Sequence, residues 1–524
     1  MIHSERQSVL LSTKGGPVTC RVDRCAMILG CTVAAMVALV IAGWHLDRSY
    51  WNDEAWGVDF AMQPSLFKVW QAAKDLQLPG APGYLALLHG ADQVRGMGSW
   101  VYRIPSIAAG LAMVLVAVAI ARQWCQSWAL ACTAGLLLLA SPFVQRYFTE
   151  AKQYIGDAAF TLSIILATRW WIVSSQKQAA VMWAILAAVG VTMSFAFWYA
   201  VAGTGLLLLI VWLRRRDRQQ LIRVMAAGAV AAVSGAVVYF GYARAATSGQ
   251  SGMDFWQVYF LSKDLRMFSQ LWNHCSYFLT GSWWPYDVPG GAMLVVSLLG
   301  LGIWCWRDPI TGAAAILTLL ATFVASLVGL WPMVIRVNLA VIVILNLAWM
   351  AVPLGLAGWL LGVLRKKLAT RQEQGRRFDS AVQIVALTAA FVLAGVVLYM
   401  SRSLEHEMSN VRSLLQEVAR RTGPQDQVIL DWAARVNFTL EPTAITGTIT
   451  SRDWPDKETV GQDLGSLIRS YPGRSFLVTS IDNHERVTVW EILARSLADV
   501  GTLEKVWTDQ SRRLAVSIYE FRRH

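Results

Sequence analysis

Hydrophobic residues fall in long blocks along most of the chain, parted by short polar stretches. A helix that crosses a bilayer needs roughly 20 mainly apolar residues. Blocks near 25–44, 103–121, 128–144, 153–173, 179–196, 198–213, 222–242, 290–306, 310–330, 337–364 and 380–401 approach or exceed that length. They predict eleven membrane-spanning helices. The first block is too long for the apolar core of a signal peptide and reads as an anchor. Residues Gly83–Val94 are apolar on one side but too short to cross, which predicts a helix lying along the membrane surface. The block at 337–364 is long for one pass and reads as tilted, or broken at Pro353. After residue 403 the pattern changes. Val411, Leu414, Leu415 and Val418 have helical spacing, and Gly423-Pro424 stops that helix. Gln427–Leu430 and Ser475–Thr479 read as buried strands, Val487–Val500 as a helix, and Leu503–Trp507 and Leu514–Phe521 as closing strands. Alternating helices and strands predict a small α/β domain.

Composition agrees with this division. The 524 residues are 55% hydrophobic and only 15% charged, with 25 Trp, and the mean hydropathy is +0.43. A soluble domain is about 25% charged, so a single soluble globule and a disordered chain are both excluded. The formal charge of +12 raises the question of nucleic acid, and its distribution answers it. Residues 404–524 hold 15 Lys+Arg and 17 Asp+Glu, whereas residues 1–403 hold 31 and 17. The excess is clustered between apolar blocks: Arg6, Lys14, Arg21 and Arg24; Arg214, Arg215, Arg216, Arg218 and Arg223; Arg365, Lys366, Lys367, Arg371, Arg376 and Arg377. Short basic loops stay in the cytoplasm. All three clusters fall on one side when the segment 83–94 is not counted as a span. The N-terminus is then inside, and the C-terminal domain outside. The seven Cys have neither metal-site spacing nor the pattern of a disulfide framework.

The charges left on the outer side are few and therefore informative. The first outer loop, 45–102, carries Asp53 and Glu54 between Trp51 and Trp56, just beyond a membrane helix. The next outer connection, Gln145–Lys152, carries Arg146, Glu150 and Lys152, with Tyr154 and Asp157 following. Glu150, Tyr154 and Asp157 are expected to share a helix face. Arg103 opens the second span, and Arg336, after Trp331-Pro332, opens the tenth. One arginine at an outer edge can be a snorkelling side chain. Four basic residues there (Arg103, Arg146, Lys152 and Arg336) point to an anionic ligand such as a phosphate. The loop 243–289 holds Lys263, Arg266, His274, Trp283, Trp284 and Asp287. Its aromatic rings suit an interfacial belt or stacking on sugar rings, and His274 reads as structural. Asp431-Trp432 and Asp482-Asn483-His484 end two strands of the outer domain, where α/β sheets place ligands. Asn437-Phe438-Thr439 matches an N-glycosylation sequon, which has meaning only in a eukaryotic secretory chain.

Five segments in this order resemble the GT-C membrane glycosyltransferases. They are Asn52-Asp53-Glu54-Ala55, Gly80-Ala81-Pro82-Gly83-Tyr84, Arg103-Ile104-Pro105-Ser106, Glu150-Ala151-Lys152-Gln153-Tyr154, and Trp331-Pro332 with Arg336. The resemblance covers about residues 25–400. It is nearest to the bacterial relatives of protein O-mannosyltransferases and to the lipid A aminoarabinose transferases. Family members more often have His-Pro-Pro at Gly80-Ala81-Pro82 and Ala-Arg-Pro-Tyr at Ala151-Lys152-Gln153-Tyr154. The resemblance implies a donor sugar on a polyprenyl phosphate, an active site at the outer leaflet, and Asp53 as the catalytic carboxylate.

A sugar phosphate already has a good leaving group. The reaction asks only for a base and for cations that hold the phosphate. Asp53 is then the base, and Glu54 orients it or the acceptor. Glu150, Asp157 and Tyr154 bind acceptor or sugar hydroxyls. Arg146, Lys152 and Arg336, with Arg103 behind them, take the donor phosphate. Asp53 and Glu150 could also hold a divalent cation, Mg or Mn rather than Zn. In-line attack inverts the anomeric centre, while a covalent intermediate with Glu150 as acid/base stays open. The expected organisation is a cytoplasmic segment 1–24, a transferase domain 25–403 and an extracytoplasmic α/β domain 404–524, in the bacterial cytoplasmic membrane. The expected partners are the bilayer, the lipid-linked donor, and a glycan, lipid or protein acceptor, with no nucleic acid. Two other classes fit the outline: a transporter or lipid flippase, and a membrane-anchored sensor with an outer ligand-binding domain.

Overall fold

A computed structural model of the chain describes residues 17–46, 48–50, 52–76, 80–247, 257–283, 288–368, 372–402, 411–440, 443–451, 466–482, 497–498, 501–509 and 515–523. Helix α1 (Pro17–His45) leads into three short helices, α2 (Asn52–Ala61), α3 (Leu66–Asp75) and α4 (Pro82–Asp92). Ser65 caps α3 by accepting from Lys68 N. Pro82 opens α4, at a position where its missing N–H costs nothing. Two 3-10 turns, Arg95–Met97 and Ser99–Arg103, meet at Gly98, whose φ of +128° suits only glycine. They deliver the chain to α5 (Ile104–Cys125).

The bundle continues with α6 (Trp128–Ala140), α7 (Pro142–Phe148), α8 (Tyr154–Ser174), α9 (Lys177–Met193), α10 (Phe197–Arg215) and α11 (Arg218–Val238). Then come α12 (Arg266–Ser282), α13 (Gly290–Arg307), α14 (Pro309–Leu327), α15 (Leu339–Leu368) and α16 (Gln372–Arg402). Helix α15 is the axis of the bundle and packs against α5, α6, α8 and α13. It lies so close to α13 that a Cβ on Gly300 would stand 1.7 Å from the Ala348 carbonyl oxygen. Small residues permit such approach where no hydrophobic force separates protein from lipid.

Among the described residues, seven helices are long and apolar enough to cross a membrane, and eight if one bent pair counts as a single span. Eleven were expected. The difference has local causes. The block at 128–144 is broken by 80° between α6 and α7, where Ser141 is extended before Pro142. Helix α9 has only 17 residues, and of the block at 380–401 the continuously described part is Thr388–Arg402, within α16. Helix α8 has the length but not the apolar composition, and most of its residues are buried in the bundle. Pro353 lies inside α15 without interrupting it.

Beyond the bundle, α17 (Val411–Arg421) and α18 (Trp432–Leu440) pack on a five-stranded sheet. Its strands are β1 (Gln427–Leu430), β2 (Thr448–Ser451), β3 (Ser475–Asp482), β4 (Gly501–Asp509) and β5 (Ala515–Arg523), in the order β2-β1-β3-β5-β4. β1 is parallel to both β2 and β3, and β5 is antiparallel to β3 and β4. β2 was not expected. Most of the helix expected at 487–500 lies outside the described residues.

The short helices α2–α4 form a layer with an apolar cluster distinct from the bundle core. Tyr50, Val58, Phe60, Leu88 and Tyr102 belong to it, together with Val436 from α18. One face of this layer therefore meets the bundle and another meets the C-terminal residues.

Candidate active site

Between the layer and the bundle lies a buried charge cluster of Arg48, Arg103, Arg146, Glu54 and Glu150, none more than 8% exposed. Glu54 stands in the first turn of α2. Its Oε1 accepts from Arg48 Nη2 at 3.1 Å and from the Ala151 backbone N at 2.8 Å, with Arg103 Nη2 at 3.7 Å. Its Oε2 has no hydrogen-bond partner among the described residues. Arg48 also donates to the Thr149 carbonyl at 3.1 Å. One carboxylate and one guanidinium thus stitch the first loop to the turn before α8. Arg103 donates to the Leu46 and Arg48 carbonyls at 2.6 and 2.9 Å, and its guanidinium lies 4.3 Å over the Tyr50 ring. Arg146 Nε lies 3.6 Å from Glu150 Oε2. Burial pulls the Arg48 guanidinium below its ordinary value, and Glu54 beside it pulls it back. Arginine stays charged in proteins. The described cluster therefore sets three positive groups against two negative ones.

A hydroxyl relay leaves the cluster beside Ala151. Ser106 donates to the Lys152 carbonyl at 3.1 Å, so Tyr84 is the donor in its 2.8 Å contact with Ser106. Burial pushes the Tyr84 phenol well up, so it stays a neutral donor. Tyr84 also lines an apolar groove of about 670 Å³, together with Leu87, Ile104, Pro105, Phe160 and Met193. The groove runs between α4, α5, α8 and α9, and Ile104 and Pro105 of its lining follow Arg103 in the chain.

No family model matches the chain, and no curated protein is similar to it in sequence. Solved structures are similar. The chain resembles apo ArnT from Cupriavidus metallidurans, with a TM-score of 0.51 at 14% identity, over 93% of this chain and 97% of that one. The same protein bound to undecaprenyl phosphate gives a TM-score of 0.48 at 13% identity, over 94% and 97%. The fold is ArnT-like. ArnT is a GT-C lipid A aminoarabinose transferase, and at this identity the likeness to it concerns the fold alone.

The ArnT-like architecture brings together Glu54, Glu150, Arg103 and Arg146. Asp53 lies beside Glu54 in the first turn of α2, and its side chain is outside the described residues. Lys152 is half-buried, in a turn whose backbone N donates to the Glu150 carbonyl at 2.7 Å. Because Glu150 precedes α8, it shares no helix face with Tyr154 and Asp157, contrary to expectation. Tyr154 packs edge-on against Tyr147, 5.2 Å between ring centres. Asp157 is buried one turn into α8 against the Ser194 hydroxyl, and its Oδ1 has no hydrogen-bond partner among the described residues. Arg336 stands half-buried on a 3-10 turn, Ile335–Asn338, packed against α8 and α12.

Other candidates in the ArnT-like fold turn out structural. Trp283 donates to Asn346 at 3.0 Å. Arg266 is paired with Asp264 at 2.7 Å on the surface, which draws that carboxylate down to about 2. Burial lowers the His274 imidazole, which keeps it neutral. Asp431 caps α18 by accepting from Ala434 N at 2.9 Å. Trp284, Asp287, Asn483 and His484 lie outside the described residues. Among those residues no group of three or more His, Cys, Asp or Glu could hold a metal ion. Glu54 and Glu150 each face a guanidinium, Arg48 and Arg146 respectively.

Sequence reasoning missed Arg48, Tyr50, Tyr84, Ser106 and Asn437. Arg48 carried the same signal as Arg103, a positive charge on the sparsely charged side. Tyr84 and Ser106 stood in segments that carry the resemblance and Asn437 in a sequon, yet neither they nor Tyr50 revealed partners that lie 22 to 387 positions away.

Proposed function

We propose that the protein is a membrane glycosyltransferase that moves a sugar from a polyprenyl-phosphate carrier to a hydroxyl acceptor at the outer face of the cytoplasmic membrane. One observation carries this reading. A buried cluster holding three guanidinium groups lies beside an apolar groove, with Tyr84 lining the groove and bonded to Ser106 next to it. A phosphate and a long hydrocarbon chain in the same ligand fit both at once. The ArnT-like fold supports the reading by analogy.

In this mechanism Asp53 takes the proton of the acceptor hydroxyl. The oxygen attacks the anomeric carbon, the bond to the phosphate oxygen breaks, and the lipid phosphate leaves. Direct attack inverts the anomeric centre. Arg146, Lys152 and Arg336 meet the charge that grows on the leaving phosphate. Arg103, whose terminal nitrogens hold loop carbonyls, acts behind them. Glu54 keeps Arg48 and Arg103 in place, while Glu150, Tyr154 and Asp157 offer polar groups to sugar or acceptor hydroxyls. The groove takes the polyprenyl chain.

Asp53→Asn should insert at the wild-type level and transfer no sugar; normal transfer would remove Asp53 as the base. Mass analysis of envelope glycans and lipid-linked sugars, with and without the chain, should show one modification lost and one lipid-linked sugar accumulating. No change in either would sink the reading.

A further inference from the structure

We infer that the C-terminal residues take part in the reaction by fixing the first loop, and that Asn437 of α18 is a positioning residue for it. The inference rests on the glycosyltransferase reading of the site. The Asn437 side chain, 9% exposed, closes a reciprocal pair of hydrogen bonds on one residue of the loop. Its Oδ1 accepts from Tyr50 N at 2.9 Å, and its Nδ2 donates to the Tyr50 carbonyl at 2.7 Å. An asparagine amide used in this way replaces a neighbouring strand and fixes the backbone of Tyr50 in one orientation. The surrounding contacts keep Asn437 in place. Arg435 Nη2 pairs with Asp59 on α2 at 2.9 Å, Arg412 N donates to Ser49 Oγ at 3.3 Å, and Val436 is fully buried in the apolar cluster of the layer.

Tyr50 connects this clamp to the charge cluster. Its ring carries the Arg103 guanidinium at 4.3 Å, and Arg103 faces Glu54. Its hydroxyl donates to the Ser99 carbonyl on the turn that carries Arg103. Tyr50 also precedes Asp53 by three residues. A side chain on α18 therefore sets the backbone from which the base projects, without touching substrate itself. A small displacement of a catalytic group lowers turnover more than it lowers binding of a donor held by other residues.

The test uses the full chain in lipid nanodiscs. Asn437→Ala removes both hydrogen bonds. Arg435→Gln removes one half-buried ion pair and secures the test if the first variant fails to fold. Each is assayed for transfer from a polyprenyl-phosphate sugar and for hydrogen exchange by mass spectrometry. The expectation is a kcat lower by roughly ten-fold for Asn437→Ala and less for Arg435→Gln, with the donor KM within about two-fold. Exchange should rise in residues 48–61 and stay unchanged in β1 and β3. Unchanged kcat and unchanged exchange in 48–61 would overturn the inference. Equal loosening of β1 and β3 would also overturn it, since Asn437 would then only stabilise its own domain. A wild-type chain that transfers nothing, yet shows the exchange change, would overturn the glycosyltransferase reading and leave the clamp standing.

Discussion

At the scale of residues, the site is held by pairing inside a buried region. Glu54 is wholly buried and receives Arg48, Arg103 and the Ala151 amide on one oxygen. Removing one member of such a group leaves charge uncompensated, at a cost of about 3–5 kcal/mol. Glu54→Gln should therefore lower the Tm of the detergent-solubilised protein; an unchanged Tm would mean that the cluster does not hold the loop. Lys152 is half-buried, and its substitution should leave Tm alone. Lys152→Gln should raise the donor KM roughly ten-fold or more, the worth of one charge-assisted hydrogen bond. An unchanged KM would remove Lys152 from the phosphate site. The presence of Glu54, Arg103 and Arg146 in a special place was legible from their being rare charges on one side. Their pairings were not. Arg48 and Thr149 are 101 positions apart, and apolar patterning carries no trace of which carboxylate a distant guanidinium meets. Arg103 shows the consequence: it was expected to take phosphate, and its terminal nitrogens hold the carbonyls of Leu46 and Arg48 instead.

Elements were readable where composition alone decides them. The blocks at 198–213, 222–242, 290–306 and 310–330 became α10, α11, α13 and α14 nearly as the pattern drew them. Blocks shaped by their surroundings were less so. Pro142 gave a turn signal that the continuous apolar run concealed, and Ser141 completes the break by donating to the Ser282 carbonyl at 2.7 Å. Strand β2 has four residues and no alternation, so its place depends on pairing with β1. The contact between α13 and α15 yields a test at this scale. Gly300→Val would force the helices apart, at a cost of about 1–3 kcal/mol. It should lower the heat tolerance of the solubilised protein, whereas Gly302→Val, at a glycine with nothing within 4 Å, should not.

For the whole molecule, the first-loop layer is shared property. The bundle supplies one of its walls, and α18 supplies Val436, Arg435 and Asn437. A chain cut after residue 403 should still insert, yet α2–α4 should become open to protease while the bundle stays protected. Equal protease resistance of the layer with and without the C-terminal residues would refute this dependence. Sequence placed an α/β unit on the same side as the loop. Its grip on that loop depends on an asparagine that read as a glycosylation sequon.

The clamp also has a consequence in time. Tyr50 and Asn437 are separated by 387 positions, and ribosomes add roughly 5–20 residues per second. Once Tyr50 has been made, roughly 20–80 s pass before its partner exists. Throughout that interval the acidic loop lacks its brace. On the glycosyltransferase reading, an unfinished chain that reaches the membrane carries the groove and the arginines without a braced Asp53, so catalytic competence would arrive only once α18 has been made.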